Sequence, residues 1–229
     1  AGPRDGRAAR RRGHRRGRLQ LSDRRPPAGF ERSALDLRVL EAGERFGRIT
    51  LDHHPSPLGF GLGESRFSDP RRRAPTGKFG VLYLGASVRV CFLEAVLRDR
   101  RDGAVGDLPL SVRELDRRLY ADVEVAGALR VVDLRGDGPV RMGVPSDVAR
   151  AARQTLARAW SVAFHEHPEA PDGILYPSRL NGEANLAVYG HAVSRLRVIR
   201  LRRLLALPEL PALLSDLRVA LVDDDPMPD

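Results

Sequence analysis

The chain passes directly from a strand into a helix within VLYLGASVRVCFLEAVLRDR, residues 81–100. The first four residues of this stretch form a short apolar run bounded by glycines, which is typical of a buried strand. Ser87 stands where a helix N-cap belongs, because its hydroxyl can accept a hydrogen bond from the first helical turn. We therefore predict a strand over residues 81–84 and a helix from Ser87 to about Arg100.

Apolar patterning on either side of this stretch predicts a mixture of strands and helices. Further strands are expected at residues 46–51, 119–125, 129–134, 174–176, 185–189 and 196–201. Helices are expected at residues 33–40, 146–164 and 210–222. No strand–helix unit repeats along the chain. This irregular order favours an α+β fold in a single domain over a doubly wound parallel sheet.

The composition excludes several classes of protein. The chain has 229 residues, which suits one domain with a sizeable core. It has no run of eighteen apolar residues, so a membrane-spanning helix is excluded. Its only cysteine, Cys91, excludes a disulfide scaffold and a multi-cysteine zinc site. Nothing in the sequence demands an oxidising compartment, so we expect a cytoplasmic protein.

The formal net charge of +9 is concentrated at the N-terminus. Residues 1–25 hold ten arginines and two aspartates, whereas the other 204 residues hold 29 basic and 28 acidic side chains. We predict that residues 1–29 are a disordered Arg-rich tail, because they lack large apolar side chains, and that residues 30–229 form the globular domain. No apolar segment follows the arginines, so the tail is not a secretory signal.

The tail has two interpretations. It is either an arm that binds nucleic acid or another anionic surface, or an extension that the domain does not need. The first interpretation would make the protein a nucleic-acid-binding module acting through residues 1–29. We expect no nucleic-acid binding from the nearly neutral remainder of the chain.

Glu94 is the most informative single residue. In the predicted helix it shares a face with Val90, Cys91 and Leu97, because residues three and four apart lie on one side of a helix. A carboxylate on such an apolar face is costly unless it is paired or functional. Glu94 is therefore either the acidic half of an ion pair with one of the many arginines or a functional carboxylate.

Two further residues have both a functional and an ordinary interpretation. Ser178 follows a predicted strand, where its hydroxyl can face a cleft or bond its own turn. A serine-hydrolase triad is not favoured, because no Gly-x-Ser-x-Gly motif is present and no histidine has supporting context. Arg66 follows a glycine-rich stretch, and its guanidinium is either a phosphate-binding group or a surface charge.

Neither nucleotide-binding glycine motifs nor metal sites are indicated. The glycines at 59, 61 and 63 match neither the dinucleotide fingerprint nor the P-loop. His53-His54 and His165-Glu166-His167 lack the spacing that places two imidazoles on one helix face. We therefore predict no metal site.

Four short motifs, taken in order, resemble the RES domain family. They are GESRFS at 63–68, VLYLGAS at 81–87, LEA at 93–95 and DGILYPSR at 172–179. The family is named for an arginine, a glutamate and a serine, which correspond here to Arg66, Glu94 and Ser178. Supporting matches are FGRI at 46–49, a central strand at 129–134, Trp160 and NLAVY at 185–189. The resemblance spans roughly residues 45–200.

The resemblance implies a fold, an activity and a partner. The expected fold is similar to that of ADP-ribosyltransferases, with a mixed β-sheet core and flanking helices. The expected substrate is NAD, cleaved at the nicotinamide–ribose bond, with ADP-ribose passing to water, to phosphate or to a protein. Several RES proteins are toxins, so a separate helix-turn-helix antitoxin is the expected partner. An inactive RES-like interaction protein is a further alternative.

The resemblance also implies roles for individual residues, all without a metal. Glu94 would stabilise an oxocarbenium-like ribose. Arg66, with Arg48, would hold the diphosphate or the nicotinamide ribose. The remaining implied contacts are an aromatic face for nicotinamide from Tyr83, a hydroxyl to the substrate from Ser178, and an orienting amide from Asn185.

Overall fold

A computed structural model describes residues 24–73 and 77–223 as ten strands and several short helices. In chain order the strands are β1 (Leu37–Leu40), β2 (Arg45–Leu51), β3 (Val81–Gly85), β4 (Leu108–Ser111), β5 (Arg118–Val125), β6 (Leu129–Asp133), β7 (Gly173–Pro177), β8 (Ala184–Tyr189), β9 (Leu196–Arg203) and β10 (Val219–Val222). Eight of them form one sheet in the order β1-β6-β7-β8-β3-β2-β5-β9, and β10 pairs with β4 separately. In the large sheet only β6 and β7 run parallel. The predicted α+β class is confirmed.

The large sheet is weakly joined between β2 and β3. These strands share one register pair, Gly47 with Gly85, whereas β2 pairs with β5 over its whole length. Neighbouring side chains leave no room for a Cβ at either position, so both residues have to be glycine. A Cβ on Gly47 would lie 2.1 Å from the Tyr120 hydroxyl, and one on Gly85 would lie 2.7 Å from a Val90 methyl. Gly85 is the last residue of β3, and the earlier residues of β3 have no register partners in β2.

The helix predicted after Ser87 is present, but it changes character along its length. It comprises α1 (Val88–Phe92), a π-helical turn (Leu93–Leu97) and a 3-10 turn (Arg98–Arg101). The Ser87 hydroxyl caps α1 by accepting a hydrogen bond from the Val90 amide at 3.1 Å. The other α-helices are α2 (Val112–Asp116), α3 (Gly138–Arg141), α4 (Asp147–Arg150), α5 (Thr155–His165) and α6 (Leu210–Asp216), and further 3-10 helices lie at Phe30–Arg32, Gly190–Arg195 and Leu204–Ala206.

The central strands are buried on both faces of the large sheet. Val81 and Tyr83 pack with Trp160 of α5, whereas Leu82 and Leu84 pack with Val123 on the opposite face. This division follows from the alternation of side chains along a strand. A third apolar cluster packs α1 and the π-helical turn against the C-terminal segments, through Phe92, Leu97, Leu115, Leu204 and Leu213.

Three predicted elements are wrong, each because a tertiary contact overrides the local pattern. Residues 33–40 are not helical, because β1 pairs there with β6 as an edge strand. This pairing also makes β6 the strand next to an edge, not a central one. The helix predicted at 146–164 is interrupted where Ala151 adopts an extended backbone. The helix predicted at 210–222 ends at Asp216, and β10 follows it to pair with β4.

The last residues of the predicted tail pack against the domain. The Trp160 indole donates a hydrogen bond of 2.8 Å to the Arg24 carbonyl, and the buried Phe30 ring meets the Trp160 ring edge-on at 4.9 Å. Arg24, within the predicted tail, is therefore bonded to the domain, and the disorder of the tail remains a prediction. Residues 1–23 lie outside the described residues. Among residues 24–73 and 77–223, no helix combines the length and the apolar character needed to cross a membrane.

Candidate active site

A cleft of about 730 Å³ opens where β2 and β3 separate. Its walls come from residues 47–49 of β2, residues 83–85 of β3, the segment 64–66 and the helical turns that follow α1. Because only one register pair joins the two strands, side chains from both reach the cleft floor. The weak point of the sheet is therefore the point at which the candidate site forms.

Glu94 projects into this cleft from the π-helical turn. Its Oε1 accepts hydrogen bonds from the Ser178 hydroxyl at 2.8 Å and from the Asn185 side-chain amide at 3.0 Å. No ion pair holds Glu94 within the part of the chain that the structure describes. The two donors are neutral, so they fix the carboxylate without cancelling its charge. A structural ion pair of Glu94 is therefore not seen among the described residues, although the nearby Glu94 carboxylate partly offsets the lowering of the Arg66 pKa.

Ser178 lies behind Glu94, not at the cleft surface. Its side chain is buried, and its hydroxyl donates to Glu94 while it accepts a bond from the Leu180 amide at 3.1 Å. The hydroxyl therefore closes its own turn, and its other bond goes to the Glu94 carboxylate, so the structure does not support the expected hydroxyl facing the cleft. Asn185, directly opposite Gly85 in the sheet, lines the cleft.

Tyr83 joins β3 to the segment that carries Arg66. Its hydroxyl shares a hydrogen bond of 2.9 Å with the Ser65 hydroxyl and accepts one of 2.8 Å from the Phe67 amide. Burial raises the pKa of Tyr83, so the phenol stays neutral. The Tyr83 ring borders the cleft and presents an aromatic surface there.

Arg66 is a half-buried cation without a carboxylate partner among the described ion pairs. One of its terminal nitrogens donates 2.8 Å to the Ala151 carbonyl, which the break between α4 and α5 exposes. Burial lowers the pKa of Arg66, although the group remains charged at neutral pH. A desolvated guanidinium that faces a cleft is suited to bind an anion.

Arg48 lines the opposite wall of the cleft from β2. Its Nη1 donates to the Pro57 carbonyl at 2.9 Å and to the Gly59 carbonyl at 2.7 Å. Burial lowers the pKa of Arg48 as well. Part of this guanidinium therefore holds the glycine-rich loop in place, while the remainder borders the cleft.

The structure adds cleft residues that the sequence did not single out. Arg98 lines the cleft with an unusual backbone, φ 28° and ψ −110°, which non-glycine residues rarely adopt. Arg179 lines it too, and its guanidinium donates to Asp99 at 2.8 Å. Arg179 is signalled by its place after Ser178 in the DGILYPSR motif, whereas nothing in the sequence indicates the strained backbone of Arg98.

The histidine pairs considered as metal ligands do not gather other ligands. Among residues 24–73 and 77–223, no group of three or more His, Cys, Asp and Glu side chains is arranged to hold a metal ion. The rings of His53 and His54 lie against each other, with centroids 4.8 Å apart.

Comparison with known proteins identifies relatives in sequence and in structure. The protein named "Probable toxin y4kH" from Sinorhizobium fredii is 46% identical over 102 residues, which are 44% of this chain and 80% of that protein. A chain from the crystal structure of the M. tuberculosis MbcT–MbcA toxin–antitoxin complex has the same fold. It matches with a TM-score of 0.52 and 21% identity over 79% of this chain and 91% of that chain.

The match to a family model covers the whole candidate site. The RES domain model matches residues 37–215, a span that contains Arg66, Glu94 and Ser178 together with the large sheet. The family resemblance seen in the four motifs is therefore confirmed, and this chain belongs to the RES domain family.

Proposed function

We propose that this protein is a toxin-like enzyme that consumes NAD by cleaving the nicotinamide–ribose bond, with ADP-ribose passing to water or phosphate. The observation that carries the proposal is the Glu94 carboxylate, which is held by Ser178 and Asn185 and lines a cleft that also contains Arg66. The name of the Sinorhizobium relative supports the toxin part of the proposal.

The proposed chemistry needs a fixed negative charge. When the bond between nicotinamide nitrogen and ribose carbon breaks, the electron pair leaves with nicotinamide, which departs neutral, and positive charge develops on the ribose. The Glu94 carboxylate stabilises that charge electrostatically. The oxygen of water or phosphate then bonds the ribose carbon, and in the reaction with water one proton of the attacking water passes to bulk solvent. Each atom of this step is accounted for without a metal.

The remaining cleft residues fit the rest of the substrate. Arg66 binds the diphosphate, because it is a desolvated cation with free donors. Arg48 contributes from the facing wall, and the Tyr83 ring packs against nicotinamide. The cleft volume of about 730 Å³ lies within the range of small-molecule sites.

A separate antitoxin is the proposed partner. The structurally similar chain comes from a toxin–antitoxin complex, and the relative y4kH is named as a toxin. An inhibitor of this type would act by covering the cleft around Glu94. We propose that both proteins act in the cytoplasm, where the NAD substrate is present.

The test is product analysis with purified protein and NAD. We expect nicotinamide release by the wild type, and a fall of at least about 100-fold in kcat for Glu94→Gln, because the amide keeps the shape but removes the charge. Glu64→Gln is the matched control, since Glu64 also lines the cleft but its side chain is 85% exposed. That variant should keep most of the activity.

Two outcomes would change the proposal. If folded, inhibitor-free wild-type protein leaves NAD intact, the cleavage reaction is wrong. If nicotinamide is released and the ADP-ribose is recovered on a protein acceptor, the same site serves an ADP-ribosyltransferase. Running the reaction with and without phosphate identifies the small-molecule acceptor from the mass of the product.

A further inference from the structure

The turn between β7 and β8 touches the helical segment of Glu94 at two separate points. At one point the Ser178 hydroxyl donates to the Glu94 carboxylate. At the other, the Ser87 hydroxyl donates to Oε2 of Glu183. Ser178 and Glu183 are the two ends of the turn. Ser87 caps the start of α1, and Glu94 lies in the π-helical turn that follows α1.

The Glu183 carboxylate is held at both oxygens. Its Oε1 accepts a hydrogen bond of 2.7 Å from the Asn181 side-chain amide, while its own backbone amide donates 3.1 Å to Asn181 Oδ1. The Ser87 hydroxyl that bonds Oε2 also caps α1 through the Val90 amide. The single Ser87 hydroxyl therefore joins the first turn of α1 to the β7–β8 turn.

The turn transmits the position of Glu183 to Ser178. The Ser178 amide donates 2.7 Å to the Glu183 carbonyl, and the Gly182 amide donates 3.0 Å to the Ser178 carbonyl. Gly182 has φ 79°, a left-handed value that suits glycine and closes the turn tightly. Because these bonds lock the two ends of the turn together, a displacement of Glu183 moves Ser178 with it.

We propose that Glu183 is a positioning residue of the candidate active site, which clamps the helix of Glu94 to the turn of Ser178. The inference rests on the proposed function. Glu183 does not line the cleft, so it acts through Glu94 and not on the substrate. Glu94 lies on a π-helical turn, where backbone geometry is less regular than in an α-helix. The bond between Glu183 and Ser87 therefore holds this segment at a second point, in addition to the bond between Ser178 and Glu94. A misplacement of about 1 Å lowers a rate by about 100-fold.

The test compares Glu183→Ala with Glu183→Gln in the full chain. We expect Glu183→Ala to lower kcat by about 10- to 100-fold with KM changed by less than about twofold, since substrate contacts are intact. Glu183→Gln should restore most of kcat, because its amide can donate to the Ser87 hydroxyl while its oxygen accepts from Asn181. The Ser87→Ala, Glu183→Ala double variant should be no slower than the slower single variant.

Glu169→Ala is the matched structural control. The Glu169 carboxylate also bridges distant segments, accepting 2.8 Å from the Leu35 amide and pairing with Arg130 away from the cleft. This variant should lose stability without losing kcat. The positioning role is overturned if Glu183→Ala has wild-type kcat, or if Glu183→Gln is as slow as Glu183→Ala.

A second measurement keeps the clamp testable without any NAD cleavage. Hydrogen exchange of the backbone amides in residues 88–97 should be faster in Glu183→Ala than in the wild type and in Glu169→Ala. If wild-type protein leaves NAD intact but this exchange is faster, the proposed function fails and the clamp stands. If the exchange is unchanged, the clamp is wrong.

Discussion

His165 is held in an aromatic environment that disfavours its charged form. Its ring stacks on Phe79 with centroids 4.1 Å apart and meets Tyr189 edge-on at 4.9 Å. Burial lowers the pKa of His165, and the neighbouring His191, with a ring centroid 5.6 Å away, lowers it further. Its Nδ1 is buried and has no hydrogen-bond partner among the described atoms. The neutral imidazole is therefore the form that the fold accommodates.

This environment predicts a loss of stability on acidification. The folded pKa of His165 lies below the ordinary value of 6.5, so the unfolded chain binds more protons as the pH falls. The His165 contribution is fully present above about pH 6.5 and is lost as the pH drops through the folded pKa. We expect His165→Phe to have a flatter dependence of Tm on pH than the wild type between about pH 8 and about pH 5.

The matched control for this measurement is His54→Phe, because His54 is an exposed histidine in a loop. Its Tm profile should run parallel to that of the wild type. Parallel profiles for all three proteins would contradict the assignment of the acid sensitivity to His165.

Single residues of the site were predictable where their chemistry conflicts with their surroundings. Glu94 stands out because a carboxylate on an apolar face must have a compensating partner. Its partners Ser178 and Asn185 lie 84 and 91 residues away, so only strand pairing brings them together. Hydrophobic periodicity carries no information about which distant strands pair. The resemblance to the RES family is what placed Ser178 and Asn185 in the same site as Glu94. Arg98 adopts its strained backbone where the π-helical turn ends, and no pattern in the sequence predicts that position.

At the scale of elements, the junction of β2 and β3 depends on two small residues. Gly47 and Gly85 face each other as the single register pair, and each lies against a side chain that a Cβ would displace. The Tyr120 hydroxyl occupies the space above Gly47, and the α1 side chains Val90 and Cys91 occupy the space beside Gly85. Because Gly85 has no side chain, α1 can pack closely against β3, and this close packing determines where α1 and Glu94 lie.

We predict that Gly47→Ala destabilises the protein by about 1–3 kcal/mol, because the added methyl overpacks a rigid site. The closest atom is 2.1 Å from the ideal Cβ, so the Tyr120 ring has to move. The measurement is the free energy of unfolding from denaturant titration. Gly63→Ala is the control, since no atom lies within 4 Å of its ideal Cβ, and it should be neutral within about 0.5 kcal/mol. Equal stability of the two variants would contradict the overpacking.

Most strands were predictable, because alternation and glycine boundaries are local signals. The errors fall where distant contacts decide the structure. The helix expected at 146–164 breaks at Ala151, whose carbonyl receives Arg66 from 85 residues away. The segment 37–40 becomes an edge strand because β6 offers it a partner. Local propensity is a weak prior, and in both segments tertiary contacts prevail.

Over the whole molecule, arginine is used mainly as a partner for carboxylates. Arg195 holds Asp172 through two bonds of 2.8 Å, and Arg100 holds Glu114 in the same bidentate way. Such pairs cancel the charge of the domain locally. Arg66 lacks a carboxylate partner within the described part of the chain, so its positive charge in the cleft is available to a small anion.

Residues 1–23 hold eight arginines and two aspartates, which supply +6 of the formal net charge of +9. We predict that any nucleic-acid binding by the full chain is lost in a truncated protein of residues 24–229, whereas NAD cleavage is retained. The truncation keeps Arg24, because the Trp160 indole donates to its carbonyl.

The measurement is binding of a DNA duplex at several salt concentrations, since each phosphate neutralised adds about 0.9 to the slope of log K against log salt. An unchanged Tm shows that the truncated domain is folded. Strong, salt-dependent binding by residues 24–229 would contradict the prediction, because the paired arginines of the domain would then have to be available to phosphates.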